Sequence, residues 1–143
     1  MLAIDTGYGQ IAERLRRDER VTLMERTNAR LLEPGMLPAG IALIAMDVSF
    51  ISATLVLPAV AGALGREREP WRGTLVLLVK PQFEAGREAV GKGGIVRDPE
   101  ARRYAVDRVT ETVVALGGRE IEVIDSPIRG MEGNHEYLLR ALF

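Results

Sequence analysis

The sequence of 143 residues contains no cysteine and a single histidine, His135. Without cysteine the chain forms no disulfide and offers no thiolate to a metal or a substrate. One histidine cannot by itself build an imidazole metal site. We therefore expect no metal centre, and the absence of cysteine fits a reducing compartment such as the cytoplasm.

Strong net charge and long hydrophobic runs are also missing. The formal net charge is −1, so overall basicity does not indicate a nucleic-acid partner, and only a local basic patch would. No apolar run approaches the roughly 20 residues that a membrane helix needs, and the N-terminus lacks a signal-peptide pattern. We therefore expect no membrane attachment. The length of the chain predicts one domain, residues 1–143.

Apolar segments alternate between strand-like and helix-like patterns. Runs without alternation, at 41–47 and 73–80, are typical of strands buried on both faces of a parallel sheet. The four glycines in residues 81–98 predict a long loop. The order predicts an α/β sheet, mostly parallel, with one antiparallel strand at its end. Predicted strands cover 2–5, 20–25, 41–47, 73–80, 119–126 and 136–143, and predicted helices cover 9–18, 52–65 and 98–116.

Ionisable residues stand at the ends of distant predicted strands. Asp47 ends one buried run, Lys80 ends the next, and Glu136 begins the last strand. Such sheets bind ligands beyond the carboxyl ends of their strands, and an antiparallel last strand begins at that same edge. We expect the three side chains to face one crevice. The alternatives are a helix cap, a solvated strand end and an edge charge.

A glycine pattern follows the first predicted strand. Gly7, Gly9 and Ala12 form G-x-G-x-x-A, and Glu25 ends the next strand. This arrangement is similar to a dinucleotide-binding fingerprint and would suit a nucleotide-dependent oxidoreductase. A tight turn between strand and helix explains the glycines equally well.

The glycine-rich segment 81–98 also carries cations. Arg87, Lys92 and Arg97 lie among its glycines. Guanidinium and ammonium groups on flexible backbone suit phosphate binding, so these residues are candidate RNA contacts. The alternative is a mobile surface loop.

Four stretches together resemble one family: "ERTNAR", "DVSFIS", "LVKPQFEAGREAVGKGGIVRD" and "SPIRGMEGNHEYLL". The chain resembles the TlyA-type ribosomal RNA methyltransferases, often labelled hemolysins, which have an FtsJ-like methyltransferase domain. The resemblance implies a Rossmann-like sheet and ribose 2′-O-methylation with S-adenosylmethionine (SAM). Of the family's lysine, aspartate, lysine and glutamate, the last three match Asp47, Lys80 and Glu136. Lys80 resembles the base, Asp47 would orient it, and Glu136 would maintain the set's geometry and electrostatics.

The resemblance also assigns cofactor contacts. "AIDTGYGQ" is similar to the family's second strand, so Asp5 would bind the ribose hydroxyls of SAM, Asn28 its adenine, and Asp47 would lie near its sulfonium. The glycine pattern is then a look-alike of a fingerprint. The family's own SAM loop follows a first strand, placed between the strands that end at Asp5 and Asp47, and this chain lacks that strand.

Two explanations of the missing strand stay open. In the favoured one, the chain is a truncated or split protein that lacks an S4-type RNA-binding domain, the first catalytic lysine and the SAM loop. It would then bind SAM weakly or not at all. In the other, "AIDTGYGQ" takes the central position, with Gly7 and Gly9 as a substitute loop and Glu25 as the ribose acid.

The implied function is a catalytic-domain fragment of a ribosomal RNA 2′-O-methyltransferase. Its expected partners are ribosomal RNA or a ribosomal subunit, with a second copy or a missing N-terminal segment as a further partner. The alternative is a non-catalytic remnant that binds RNA or a protein partner.

Overall fold

The computed structural model describes residues 1–65, 70–130 and 133–143. The strands are β1 (Leu2–Ile4), β2 (Thr22–Met24), β3 (Leu43–Met46), β4 (Thr74–Val79), β5 (Arg119–Asp125) and β6 (Tyr137–Leu142). The α-helices are α1 (Glu13–Arg16), α2 (Ala53–Leu64), α3 (Pro81–Glu84) and α4 (Pro99–Ala115), and short 3-10 helices cover Ala29–Leu31 and Arg87–Ala89.

The strands form two sheets. In the larger sheet the order is β3-β4-β6-β5, with β3 parallel to β4 and β6 antiparallel to both of its neighbours. In the smaller sheet β1 runs parallel to β2. The predicted α/β sheet with an antiparallel last strand is confirmed, since β6 is the last strand of the chain. Strand β6 returns between β4 and β5, which leaves β5 at the edge.

Helices α2 and α4 cover one face of the larger sheet. That face presents Leu75, Leu77 and Val79 of β4, all at most 1% exposed. Both helices begin where the sequence predicts: the Ser52 hydroxyl caps α2, and the Asp98 carboxylate accepts bonds from the first-turn amides of α4. Capping satisfies amides that have no partner within the helix. The helices are thereby fixed on the sheet that carries Asp47 and Lys80.

The opposite face of the sheet is open. Leu43 of β3 is 60% exposed and Ile124 of β5 is 62% exposed. The expectation that segment 41–47 is buried on both faces is therefore wrong. Among the described residues, β3 hydrogen-bonds to a strand only on its β4 side, and α2 and α4 both pack on the sheet face opposite to Leu43.

The smaller sheet is joined to the larger one by packing rather than by strand pairing. Ile4 and Met24 pack against the main core, and the 3-10 helix Ala29–Leu31 packs on α2. Among the described residues no strand pairing links β1 to β3. A cleft of about 490 Å³ lies there instead, lined from both strands. The explanation in which "AIDTGYGQ" takes the central position is therefore wrong, since within the part of the chain that the structure describes β1 pairs with β2 and not with β3.

Segment 81–98 is more structured than predicted. It contains α3, the 3-10 helix Arg87–Ala89 and a bridge between Gly91 and Ile95. Ala85 and Val96 are buried together against α4, so apolar contacts anchor a segment expected to be a long loop. The predicted helix over 9–18 is, by contrast, a single turn, α1.

Glu84 is a buried acid that ties α3 to α2. Its side chain accepts hydrogen bonds from the Ser52 hydroxyl at 2.5 Å and the Ala53 amide at 2.7 Å. Arg108 of α4 donates to the Glu84 carbonyl oxygen at 2.8 Å. Burial raises the pKa of the Glu84 carboxyl above its ordinary value, and the two hydrogen bonds only partly oppose that shift.

This pKa shift predicts a pH-dependent stability. A carboxyl whose pKa is raised on folding contributes its full stabilisation at pH values below its unfolded pKa of 4.5. That contribution is lost as the pH rises through the folded pKa. We expect the free energy of unfolding of the Glu84→Gln variant to lack this decline. Urea unfolding over a pH series, followed by Trp71 fluorescence, measures it. The exposed Glu111→Gln variant is the control, and an equal decline in Glu84→Gln would contradict the prediction.

Candidate active site

Asp47 and Lys80 meet at the carboxyl ends of β3 and β4. The Lys80 Nζ lies 2.7 Å from Asp47 Oδ1 and donates to the Ser49 hydroxyl at 2.8 Å. The Lys80 side chain is only 13% exposed, whereas that of Asp47 is 67% exposed. The parallel register of the two strands brings these residues together. The ammonium is thus fixed by two oxygens at the sheet edge where ligands bind.

Glu136 lies next to Lys80 across the neighbouring strand pair. Val79 pairs with Tyr137, so the register continued by one residue sets Lys80 opposite Glu136 on one face of the sheet. Glu136 is 5% exposed, which excludes a solvated edge charge. Its side-chain oxygen accepts from Gln82 Nε2 at 3.0 Å rather than from Lys80. The backbone thus brings Glu136 to the predicted crevice, and Gln82 holds its side chain.

The segment before Glu136 is fixed by polar contacts. Arg102 Nη1 lies 2.8 Å from His135 Nδ1, and His135 Nε2 lies 2.7 Å from Asp125 Oδ1. A guanidinium only donates, so Nδ1 is the acceptor and Nε2 carries the proton toward Asp125. The imidazole also stacks on Tyr137. The single histidine therefore orients the backbone that carries Glu136.

Asn134 and Gly130 complete that support. The Asn134 side chain accepts from the Val96 amide at 3.2 Å and donates to the Gly94 carbonyl at 2.9 Å. A Cβ atom at Gly130 would collide with the Glu136 carboxylate. Segment 81–98 and the segment before Glu136 are thereby connected through the Asn134 side chain, and the glycine at 130 leaves room for the Glu136 carboxylate in its present position.

The predicted RNA contacts form two groups. Arg97 Nη1 donates to the Lys92 carbonyl at 3.4 Å, so these two exposed residues lie together around the Gly91–Ile95 bridge. Arg87 is exposed in the preceding 3-10 helix and lines a separate cavity. All three cations are available to solvent, and the structure does not join them into one cluster.

Of the three predicted cofactor residues, Asp47 lines the cleft between the sheets. Ile4 and Ala29, the chain neighbours of Asp5 and Asn28, line it as well. Asp5 and Asn28 are themselves exposed; Asp5 Oδ1 accepts from the Gly7 amide at 2.5 Å, and Asn28 caps its 3-10 helix. Asp5 and Asn28 are therefore each one residue away from the cleft wall.

Glu25 is engaged elsewhere, which weakens the fingerprint interpretation. Its carboxylate pairs with Arg16 at 2.6 Å and accepts from the Gly9 amide at 2.7 Å. The Arg16 bond, followed by the Gly9 bond, holds the pKa of Glu25 below its ordinary value. Both groups that a dinucleotide would require, the glycine amide and the acid, thus bind each other.

Sequence reasoning assigned no role to two aromatic residues. Phe50 is 87% exposed, has a left-handed φ of +62°, and lies 5.4 Å from the ring of Phe83 between centroids. Bulky residues rarely adopt such backbone angles outside functional sites. Their positions in the sequence could have indicated a place near the site, since Phe50 follows Asp47 by three residues and Phe83 follows Lys80 by three.

Residues 1–65, 70–130 and 133–143 contain neither a metal-binding cluster nor a membrane-spanning helix. No group of three or more histidine or acidic side chains there could hold a metal ion. No helix in this part of the chain is long and apolar enough to cross a membrane.

Comparison with known proteins agrees with the sheet and its polar edge. The model of the FtsJ-like methyltransferase family matches residues 1–143. The 16S/23S rRNA (cytidine-2′-O)-methyltransferase TlyA of Mycobacterium tuberculosis is 45% identical over 97% of this chain, which is 50% of TlyA. Hemolysin A of Brachyspira hyodysenteriae is 39% identical over 95% of this chain and 55% of that protein.

A solved structure gives the same result. The crystal structure described as "a putative hemolysin from Lactococcus lactis" superposes with a TM-score of 0.87 at 39% identity, over 99% of this chain and 65% of that one. The chain thus spans about half the length of the curated relatives it matches. With the family model matching from end to end, the chain belongs to the FtsJ-like methyltransferase family.

Proposed function

We propose that residues 1–143 form the catalytic domain of a SAM-dependent ribose 2′-O-methyltransferase that acts on ribosomal RNA in the cytoplasm. The observation that carries the proposal is the fixed Lys80 amine, 2.7 Å from Asp47 at the carboxyl ends of β3 and β4. The M. tuberculosis relative, a 16S/23S rRNA (cytidine-2′-O)-methyltransferase, supports the choice of RNA ribose as substrate.

The reaction requires removal of a proton from a poor nucleophile. A ribose hydroxyl becomes effective when a base takes its proton as the new bond to carbon forms. SAM, when bound, supplies the methyl group on a positively charged sulfur that leaves as a neutral thioether. Lys80 is the proposed base, and its amine must be neutral when it accepts the proton.

Asp47 and Glu136 are proposed to fix the geometry around that amine. The Asp47 carboxylate and Ser49 hydroxyl together set the direction of the Lys80 Nζ. Glu136, buried opposite Lys80 in the strand register, adds negative charge that stabilises the ammonium formed by proton transfer. Lys80 takes the proton, Asp47 and Glu136 act through the Lys80 amine, and none of these proposed roles requires a metal ion.

Aromatic and basic residues near this cluster suit an RNA substrate. Phe50 offers an exposed ring beyond Asp47, and unstacked bases bind aromatic rings. Arg87, Lys92 and Arg97 are exposed on the segment that follows Lys80. Their charges suit backbone phosphates. Base stacking and phosphate pairing together would bring a ribose to Lys80.

The residues around the cleft fit SAM in part. Asp5 offers a carboxylate for ribose hydroxyls, Asn28 an amide for adenine, and Asp47 a charge complementary to the sulfonium. The helix side of the cleft is apolar, with Val56 and Val60 of α2 in its wall. The glycines that follow β1 already have partners, since the Gly7 amide donates to Asp5 and the Gly9 amide donates to Glu25. Among the described residues these amides are therefore not available to hold the methionine end of SAM.

We propose that polypeptide beyond this chain completes the sheet. Strands β1 and β3 each have one edge without a strand partner among the described residues, and the cleft of about 490 Å³ separates them. Two-stranded sheets are marginally stable alone, and mostly parallel sheets are normally covered on both faces. A strand inserted between β1 and β3 would satisfy both edges; a second copy of the chain is the alternative source.

Substituting Lys80 tests the catalytic proposal. We expect Lys80→Met to lower kcat for RNA methylation by about 100-fold or more, the typical contribution of a general base. The assay uses labelled SAM and ribosomal subunits with a fusion protein, defined here as this chain joined to the part of the M. tuberculosis relative outside the matched segment.

The second lysine of the chain provides the control. Lys92→Met should raise KM for RNA and leave kcat within a few-fold, because Lys92 is proposed to contact phosphate only. The two variants must show the same circular dichroism spectrum as the parent protein. A Lys80→Met variant with normal kcat would overturn the proposed base.

Titration with SAM tests the incomplete sheet. We expect weak or undetectable binding to the 143-residue chain in calorimetry, because the contacts to the methionine end are missing and each ~1.4 kcal/mol lost weakens affinity tenfold. The fusion protein should bind SAM. Micromolar affinity of the chain alone would contradict the proposal. Failure of both proteins to bind would favour the alternative of a non-catalytic RNA- or partner-binding remnant.

A further inference from the structure

A second cavity adjoins the proposed active site. It has a volume of about 400 Å³ and is lined by Gln82, Phe83, Gly86, Arg87 and Val90. This volume falls in the range of small-molecule sites, roughly 300–1,000 Å³. The cavity wall begins two residues after Lys80, so a ligand held there would lie beside the proposed base.

Gln82 connects this cavity to Glu136. Its Nε2 donates to Glu136 Oε1 at 3.0 Å, and since a carboxylate accepts, the amide nitrogen rather than the oxygen faces the acid. The Gln82 Oε1 is buried and has no hydrogen-bond partner among the described residues. Buried acceptors are nearly always paired in folded proteins. The terminal torsion of glutamine is soft, so a ligand donor can reach this oxygen after a small rotation.

The other walls supply two further kinds of contact. Phe83 offers an aromatic ring, already tilted against the exposed ring of Phe50. Arg87 is exposed at the opening and carries a guanidinium, which pairs with phosphate through two parallel bonds. An aromatic surface, a hydrogen-bond acceptor and a cation together match the base, the amino edge and the phosphate of one unstacked nucleotide.

We infer that this cavity binds the RNA nucleotide adjacent to the methylated one. The base lies against Phe83, a base N–H donates to Gln82 Oε1, and the phosphate pairs with Arg87. Because Gln82 also holds Glu136, occupation of the cavity fixes the acid beside Lys80, and Gln82 is a positioning residue. The inference rests on the proposed function and adds to it the substrate form: a single-stranded RNA segment with bases unstacked on both sides of the reacting ribose.

Nuclear magnetic resonance of the wild-type 143-residue chain tests the site directly. The isotope-labelled chain is titrated with a short single-stranded oligoribonucleotide in the absence of SAM. We expect the largest shifts at the Gln82 side-chain amide and the Gly86 and Arg87 backbone amides. Shifts elsewhere that leave these signals unchanged, or no shifts at all, would overturn the inference.

A variant measures the contribution of the glutamine. Gln82→Met keeps the length of the side chain and removes its hydrogen bonds, and Gln10→Met makes the same change at the other glutamine of the chain, outside the cavity. Fluorescence anisotropy with the labelled oligoribonucleotide should show roughly 3- to 10-fold weaker binding for Gln82→Met, the size expected for one neutral hydrogen bond. Gln10→Met should bind as the parent does.

The outcomes separate this inference from the proposed function. Equal affinities of Gln82→Met and Gln10→Met, with methylation of RNA by the fusion protein, would overturn the nucleotide site alone. Gln82-dependent RNA binding without methyl transfer by the fusion protein would support the site and overturn the proposed reaction. Titration of the isotope-labelled chain with a deoxyribose oligonucleotide should shift the cavity signals as much as the oligoribonucleotide does, because no proposed contact there involves the 2′-hydroxyl.

Discussion

The register of β4 with its two neighbours is the constraint on which the site depends. Parallel pairing with β3 delivers Asp47 and Ser49 to the Lys80 amine, and antiparallel pairing with β6 sets Glu136 across from it. A shift of one residue in either pairing would turn one partner to the other face of the sheet. The apolar core that α2 and α4 form on β4 therefore stabilises the geometry of the proposed site as well as the fold.

Around that register the structure divides into a fixed half and an open half. Lys80 is fixed by Asp47 and Ser49, and the buried Glu136 is bonded to Gln82. Asn134 accepts a buried hydrogen bond from the Val96 amide. On the side of the proposed cofactor contacts, the two sheets are separated by a cleft that Asp47 lines. The proposed proton transfer would use residues already in place, whereas the proposed cofactor site lies between strands β1 and β3, which do not pair with each other among the described residues.

Sequence reasoning located the strand ends, the caps of α2 and α4, and the Asp47–Lys80 contact, because each depends on local pattern or on the general geometry of parallel sheets. It misjudged segment 41–47, since a continuous apolar run does not reveal that its strand lies at an edge. The anchoring of segment 81–98 through Val96 and the support of Glu136 by Gln82 arise from contacts between distant residues. The left-handed φ of Phe50 likewise leaves no trace in composition.

The position of the transferred methyl group tests the central claim most directly. The fusion protein is incubated with labelled SAM and ribosomal subunits, and the RNA is then digested and its labelled nucleosides identified by mass spectrometry. The account predicts 2′-O-methylated nucleosides. In the undigested RNA, the phosphodiester linkage that follows a methylated ribose resists alkali, because the 2′-hydroxyl that would attack it is blocked. Label on a base, or no label from a protein that binds both SAM and RNA, would contradict it.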